Sequence, residues 1–399
     1  MKNKKISTSI HRGILCLILT VIICVWSCVP ICAAPNVENS TSNGTVDLGL
    51  DCRSAVLMEA STGTVLYEQN ADEALPPASV TKVMTLLLVM EAIEEGKIKY
   101  TDTVRASANA CSMGGSQIYL EENEEMSVED LLKSVVIASA NDAAVALAEH
   151  IAGTEQAFVD MMNKKAQALD MKNTSFENTN GLDDTVQQHL TSARDIAIMS
   201  RELIKYPKIT EYSSIWMDTI RNGEFGLTNT NRLVRFYKGA TGLKTGSTSK
   251  AGFCISATAQ RDGMTLIAVI MGSPTRDVRN AAAVSLLDHG FANYSIYTNK
   301  GQSINNIPVV KGTQPYLKAE YKDFSCVVKK NEGAKITAEP ILPEKLTAPL
   351  KEGDAVGEIV YKIGEKEIGK SAITAAENVG RVTFFALVGE FLRKFAAIF

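Results

Sequence analysis

Apolar positions recur along this chain with two periods, and the switches between them outline its elements. "SAVLMEASTGTVLYEQN", beginning at Ser54, holds two apolar runs around a Ser-Thr-Gly-Thr turn, which predicts a β-hairpin and starts the fold near Leu50. From Val80 to Glu94 the residues Val83, Leu86, Leu87, Met90 and Ile93 form one stripe at helical spacing, and Pro76 and Pro77 stop any helix before it. Another helix is predicted over 127–138, with Ser127 and Asp130 spaced as a capping box in which Asp stands for the preferred Glu or Gln. "NDAAVALAEHIAG" predicts a further helix ending at Gly153, and Ser139-Ala140-Asn141 bridges the two.

From Gly242 the period shortens. "AGFCISATAQ" and "MTLIAVIMG" are strand-like runs joined by a turn at Arg261 to Gly263, and a helix over 277–288 closes the region. A strand pair, then helices, then strands and a helix predict an α+β fold, with helices grouped against an antiparallel sheet, over 50–297. Over 300–376 the short runs "IPVV", "FSCVV", "ITAEPIL", "AVGEIVYKI" and "EIGKSAIT" alternate with Gly, Pro and charged turns, predicting a small all-β domain. The tail, 380–399, wound as a helix collects Phe384, Phe385, Leu387, Val388, Phe391, Leu392, Phe395, Ile398 and Phe399 on one face, with Thr383, Glu390, Arg393 and Lys394 opposite. This reads as an amphipathic membrane-anchoring helix, the alternative being a terminal helix docked on the protein's own core.

The N-terminus changes the picture of location. Lys2, Lys4, Lys5 and Arg12 precede an apolar run from Ile14 to Trp26, with small residues near Cys32 to Ala34, so 1–33 reads as a signal peptide and 34–49, polar and aperiodic, as a flexible spacer. The run is shorter than the roughly 20 residues that span a bilayer, which disfavours a retained transmembrane helix. Without its four basic residues the mature chain has 37 Lys and Arg against 45 Asp and Glu, a formal charge of −8, and nothing points to nucleic acid. Cys52, Cys111, Cys254 and Cys326 remain, scattered and without metal-ligand spacing; up to two disulfides or buried free thiols are both open.

Within the first predicted helix Ser79 precedes Lys82 by three residues, so both side chains share one face, close enough for the amine to take the hydroxyl proton. Such a lysine must first be neutral, and its ordinary pKa of ~10.4 has to fall through burial or a neighbouring cation. By itself the pattern is weak, since Ser-x-x-Lys recurs at Ser247 and Lys250, and Ser-x-Asn occurs at Ser107, Ser139 and Ser303. Lys244-Thr245-Gly246 is unique, and order and context decide: a serine opening a helix, a Ser-Ala-Asn bridging two helices, a Lys-Thr-Gly leading a strand.

In that order "SVTK", "SAN" and "KTG" resemble the active-site motifs of penicillin-binding proteins and serine β-lactamases. "LPPASVTKVMT", "SANDAAVALAEHIAG", "NTNGLDDTVQQHLTSARDIA", "NTNRLV" and "GLKTGSTSKAGFCISATA" are similar to segments of low-molecular-weight penicillin-binding proteins, the D-alanyl-D-alanine carboxypeptidases of the serine peptidase S11 family. The likeness covers roughly Leu50 to Tyr294, and the β-domain and tail match that architecture too. It implies a cofactor-free enzyme, exported to the outer face of the cytoplasmic membrane and held there by its C-terminal helix, that trims peptidoglycan stem peptides ending in D-Ala-D-Ala and is inhibited by β-lactams. Ser79 would be the nucleophile, Lys82 the general base, Ser139 a proton relay to the leaving amine, and Asn141 a hydrogen-bond partner of both substrate and Lys82. Lys244 and Thr245 would bind the terminal carboxylate, Gly246 would let the substrate approach as an added strand, and the N–H groups of Ser79 and Ser247 would form the oxyanion hole.

Ala140 stands where many relatives of the wider superfamily have Asp, and Thr241 where many S11 members have Asp. His189 is expected to be structural, and Gly114 and Gly115 to shape a loop near the cleft. One rival is a β-lactamase, for which Glu177 is the nearest candidate to hold a deacylating water, although the Leu-Asn pair of that motif is missing. The other is a non-enzymatic sensor that only captures ligand.

Overall fold

The computed structural model describes residues 47–184 and 186–396, so the predicted leader 1–33, most of the spacer 34–49 and the end of the tail lie outside the described residues. The hairpin forms as β1 (Ser54–Glu59) and β2 (Val65–Gln69), and Glu59 folds its buried carboxylate back onto the N–H groups of Ser61 and Thr62 in the turn. Three later strands, β3 (Ala240–Thr248), β4 (Gly252–Arg261) and β5 (Met264–Ser273), complete an antiparallel sheet in the order β2-β1-β5-β4-β3. Thus β3, which carries Lys-Thr-Gly, is an edge strand.

Both faces of this sheet are covered, so alternate residues of one strand enter different cores. Val56 and Met58 face a helical layer that includes α1 (Lys82–Glu94), α2 (Val128–Lys133), α3 (Asn141–Ala152) and α4 (Ala193–Leu203). Ala55 and Leu57 face α5 (Arg276–Asn293), packed through Leu286 and Leu287. The helix over 127–138 starts as expected, with Asp130 N–H donating to Ser127 Oγ at 3.0 Å, a cap worth about 1 kcal/mol. It then widens into a π-turn over Ser134–Ala138, which apolar spacing did not foretell, and helix α3 ends on Gly153 at φ +81.

Strand pairing continues directly after α5: Tyr294–Asn299 pairs with Phe324–Lys329, and a six-stranded sheet follows with its own core around Leu317, Ala319, Tyr361 and Ile373. The strand Tyr316–Tyr321 was not among the predicted runs, because its charged residues break the apolar pattern. The chain ends in a helix α6 (Phe384–Ala396) on which Phe384 and Phe385 are 73% and 85% exposed. Among the described residues no helix is long and apolar enough to cross a membrane.

Candidate active site

Ser79 lies on a 3-10 turn, Ala78–Thr81, that leads into α1, and neither of these helices has a side-chain cap. Ala78 holds φ +50, and the turn is braced from behind by Thr81 Oγ1 donating to Ala78 O at 2.8 Å. His189 supports the brace. Its Nδ1 accepts from Glu177 N–H at 3.0 Å, so Nε2 carries the proton toward Thr81 Oγ1 at 2.7 Å, and burial lowers its pKa to about 4. This is a neutral structural histidine.

Lys82 is the first residue of α1 and wholly buried. Its Nζ lies 3.0 Å from Ser79 Oγ, 2.5 Å from Asn141 Oδ1 and 2.8 Å from the carbonyl of Asn180. Two of these partners only accept, whereas the hydroxyl can donate. A neutral amine satisfies all three by giving its two N–H groups to the carbonyl oxygens and its lone pair to the Ser79 proton. Burial, and next the charge of Lys244, push the Lys82 pKa well below the usual lysine range.

The π-turn delivers Ser139 at φ +64, a left-handed conformation that is costly for serine. In that position Ser139 Oγ accepts from Lys244 Nζ at 2.7 Å, so Ser139 is joined to Lys244 and not to Lys82. Asn141 sits at the start of α3, spans from Lys82 to the 114–116 loop by donating to Gly114 O at 2.6 Å, and keeps one side-chain N–H uncommitted. The loop with Gly114 and Gly115 thus lies against the Ser-Ala-Asn motif, and a Cβ on Gly115 would come within 2.9 Å of Asn141 Nδ2.

Lys244 and Gly246 share one face of β3. Lys244 is 1% exposed, and burial, with buried Arg279 as the second cause, lowers its pKa to about 7. Thr245 gives its hydroxyl to Thr230 at 2.8 Å, and Ser247 is exposed on the strand beyond Gly246. At Gly246 the structure gives a different reason for glycine than substrate approach: a Cβ there would stand 2.8 Å from Ser79 N and Pro77 O. Glycine lets the edge strand press on the turn that carries Ser79. Gly181, at φ +85, does the same from the other side, where a Cβ would overlap Ala78 O at 1.9 Å.

Of the eight motif residues, Ser79, Lys82 and Asn141 are joined by hydrogen bonds, Ser139 and Lys244 by another, and Gly246 packs on the Ser79 turn, with Thr245 and Ser247 beside it on β3. Motif reading missed Asn180, which acts through its backbone carbonyl, and Arg279, buried with Nη1 3.4 Å from Cys254 O. Of the repeats of the motifs, Ser107 caps a short helix, and Lys250, three residues beyond Ser247, donates to Asp183 O. Thr241 bonds Thr258 Oγ1 on the neighbouring strand. Glu177 accepts the N–H groups of Gln187 and Gln188, both at Oε2. The four cysteines among the described residues are free thiols.

The sequence pattern of the family described as D-alanyl-D-alanine carboxypeptidase matches residues 40–275, and that of the penicillin-binding protein 5 C-terminal domain matches 291–381. The chain is 42% identical over 351 residues to D-alanyl-D-alanine carboxypeptidase DacF of Bacillus subtilis, covering 86% of this chain and 90% of that one. It is 34% identical over 372 residues to D-alanyl-D-alanine carboxypeptidase DacC of Escherichia coli, covering 86% and 88%. Penicillin binding protein 5 from Haemophilus influenzae superposes with a TM-score of 0.75 at 34% identity, over 83% of this chain and 98% of that one. Penicillin-Binding Protein D2 from Listeria monocytogenes, solved in the ampicillin bound form, gives 0.57 at 31% identity, over 62% and 100%.

Proposed function

The chain belongs to the S11 family of serine-type D-alanyl-D-alanine carboxypeptidases, and from that premise we propose how its residues divide the work of removing the terminal D-alanine of a peptidoglycan stem peptide. Neutral Lys82 takes the proton of Ser79 Oγ as that oxygen attacks the carbonyl carbon between the two D-alanines. The oxyanion forms between the N–H groups of Ser79 and Ser247, donors of a kind typically worth ~3 kcal/mol each. Lys244 holds the terminal carboxylate together with Thr245, whose hydroxyl turns its proton from Thr230 to the substrate. Ser139, held by Lys244, gives its hydroxyl proton to the leaving amine as it takes the Ser79 proton back from Lys82, which is neutral again for the water step. Asn141 orients Lys82 and offers its uncommitted N–H to the substrate amide. Water, deprotonated by the same lysine, releases the acyl group. A penicillin acylates Ser79 by the same attack on its strained amide, and slow hydrolysis of that acyl-enzyme is inhibition.

The observation that carries this reading is the three-way contact of the fully buried Lys82 Nζ with two carbonyl oxygens and the hydroxyl of half-buried Ser79. D-alanine release from a D-Ala-D-Ala-ending peptide, followed for wild type and Ser79→Ala, tests it. The variant is expected to release none and to carry no penicillin adduct by mass spectrometry; equal release by both proteins overturns the assignment. Rapid turnover of a fluorescent penicillin with no lasting label on Ser79 would favour a β-lactamase instead.

The same reading covers organisation and location. Residues 1–33 are removed on export, 34–49 form a spacer, 50–297 the catalytic domain, 300–376 the β-domain, and 380–399 lie in the outer face of the cytoplasmic membrane. Support comes from the exposure of Phe384, Phe385 and Leu392 on α6, which packing on the protein's own core would have hidden.

A further inference from the structure

The β-domain meets the start of α6 at one hairpin. Its strands, Ser303–Val310 and Tyr316–Tyr321, pair antiparallel with Pro308 opposite Tyr316, and the loop between them is fastened to the segment that leads into the helix. Val382 N–H donates to Lys311 O at 2.9 Å, and Thr313 N–H to Gly380 O at 2.8 Å. Successive side chains of a strand point to opposite faces. Val309 and Leu317 enter the domain's own core, which leaves Pro308, Val310, Tyr316 and Lys318 on the outer face, with Tyr316 53% exposed. Lys311 and Arg381 stand exposed at the edge of this patch, and neither they nor Lys318 form an ion pair among the described residues.

Given the anchoring of α6 proposed above, on which this placement rests, the hairpin stands close to lipid. Phe384, 73% exposed, comes two residues after Val382, and two residues span at most about 7 Å. The headgroup layer on each side of the hydrocarbon core is about as deep. A helix lying in the membrane plane, with its apolar face at the boundary of headgroups and acyl chains, therefore holds the hairpin among the headgroups. The patch has the composition for that depth: an amphipathic ring, Pro308 and Val310 beside it, and three cations without carboxylate partners. A second copy of the chain would set those cations against themselves across a two-fold contact, whereas an anionic bilayer pairs them with phosphates.

We propose that this hairpin is a second membrane contact, in which Tyr316, Pro308 and Val310 sit among lipid headgroups and Lys311, Lys318 and Arg381 meet the phosphates of anionic lipid, so that the β-domain stands on the bilayer instead of trailing from α6. Partitioning of the mature chain onto phosphatidylcholine vesicles, with and without phosphatidylglycerol, is measured by sedimentation for wild type, Tyr316→Ser/Lys311→Ser and a chain ending at Arg381. The double variant is expected to bind anionic vesicles roughly ten-fold more weakly than wild type, about five-fold of that being the charge of Lys311 and absent on phosphatidylcholine alone, with D-alanine release and thermal unfolding unchanged. Tyr316→Trp is expected to lose fluorescence to brominated lipid, whereas Glu365→Trp, in the turn at the far end of the sheet, keeps the signal of wild type. Equal partitioning of the double variant and wild type overturns the proposal, as does a Trp at 316 that brominated lipid leaves bright; α6 keeps its own role in either case if the shortened chain fails to bind. Binding of the shortened chain as tight as wild type overturns the anchoring by α6, and the placement of the hairpin with it. A wild-type dimer that the double variant loses, with vesicle binding unchanged, gives the patch to a second copy of the chain and overturns the membrane contact.

Discussion

Two buried lysines stand close to Ser79 and Ser139, and the proposed mechanism needs them in opposite protonation states. In that mechanism Lys82 is neutral to accept the Ser79 proton, and Lys244 charged to hold a carboxylate. Burial and the charge of Lys244 push Lys82 well below the usual range, as a base needs, while burial and Arg279 lower Lys244 to about 7. Lowering the pH therefore protonates Lys82 and removes the base, and raising it above about 7 discharges Lys244 and removes the anchor. The profile of kcat/KM is expected to be a bell whose alkaline limb begins near 7. A bound carboxylate stabilises charged Lys244, so the limb in kcat at saturating peptide shifts upward, and steady-state kinetics at each pH would show the loss in KM first. An alkaline limb identical in kcat and kcat/KM would remove Lys244 from that role. The pairing of Ser79 with Lys82 was legible in the sequence because it is a local consequence of helical spacing. The carbonyl of Asn180, 98 residues away, and the charge of Arg279 were not, since only tertiary packing brings them in.

At the scale of elements, the site is held by backbone that ordinary helices and strands do not supply. The α-to-π change before Ser139 and the φ of +64 at that residue aim its hydroxyl at Lys244, and no hydrophobic period encodes either. Periodicity did locate the hairpin, the helices α1, α2, α3 and α5 and the paired strands β4 and β5, because each buries one continuous stripe or face, but it did not foretell α4 or the helix Glu155–Ala168. It failed at the strand Tyr316–Tyr321, where exposed charges alternate with a few buried residues. Glycines were legible as turn or approach signals, but their partners were not: Gly246 and Gly181 are packing contacts on either side of the Ser79 turn. Gly246→Ala would put a methyl carbon 2.8 Å from Ser79 N, and the turn must move. Acylation by penicillin is expected to slow by about 100-fold, since displacing a nucleophile by an ångström costs that much, while the thermal unfolding transition remains cooperative. Wild-type acylation rates in Gly246→Ala would show that the strand yields instead of the turn.

The whole molecule is a carboxypeptidase unit joined to a β-domain that has a separate core and ends in a helix rich in exposed aromatic residues. Among the described residues each hydrogen bond that orders Ser79, Lys82, Ser139 and Lys244 comes from residues before the β-domain. The anchoring proposed for that helix is therefore separable from catalysis. Backbone bonds from Val382 N to Lys311 O and from Thr313 N to Gly380 O fasten the chain to the β-domain just before α6 begins, so a cut at 382 removes the helix with little of the domain's own ladder. Deleting 382–399 is expected to shift the mature protein from the membrane pellet to the soluble fraction on cell fractionation, with kcat/KM on a soluble peptide within two-fold of the full chain, because no catalytic contact is lost. Retained membrane association would assign the anchor to an uncleaved leader and leave α6 without its proposed role. Lost activity together with lost binding would mean that the β-domain depends on the helix for its fold, and circular dichroism of the truncated protein separates that outcome from the first.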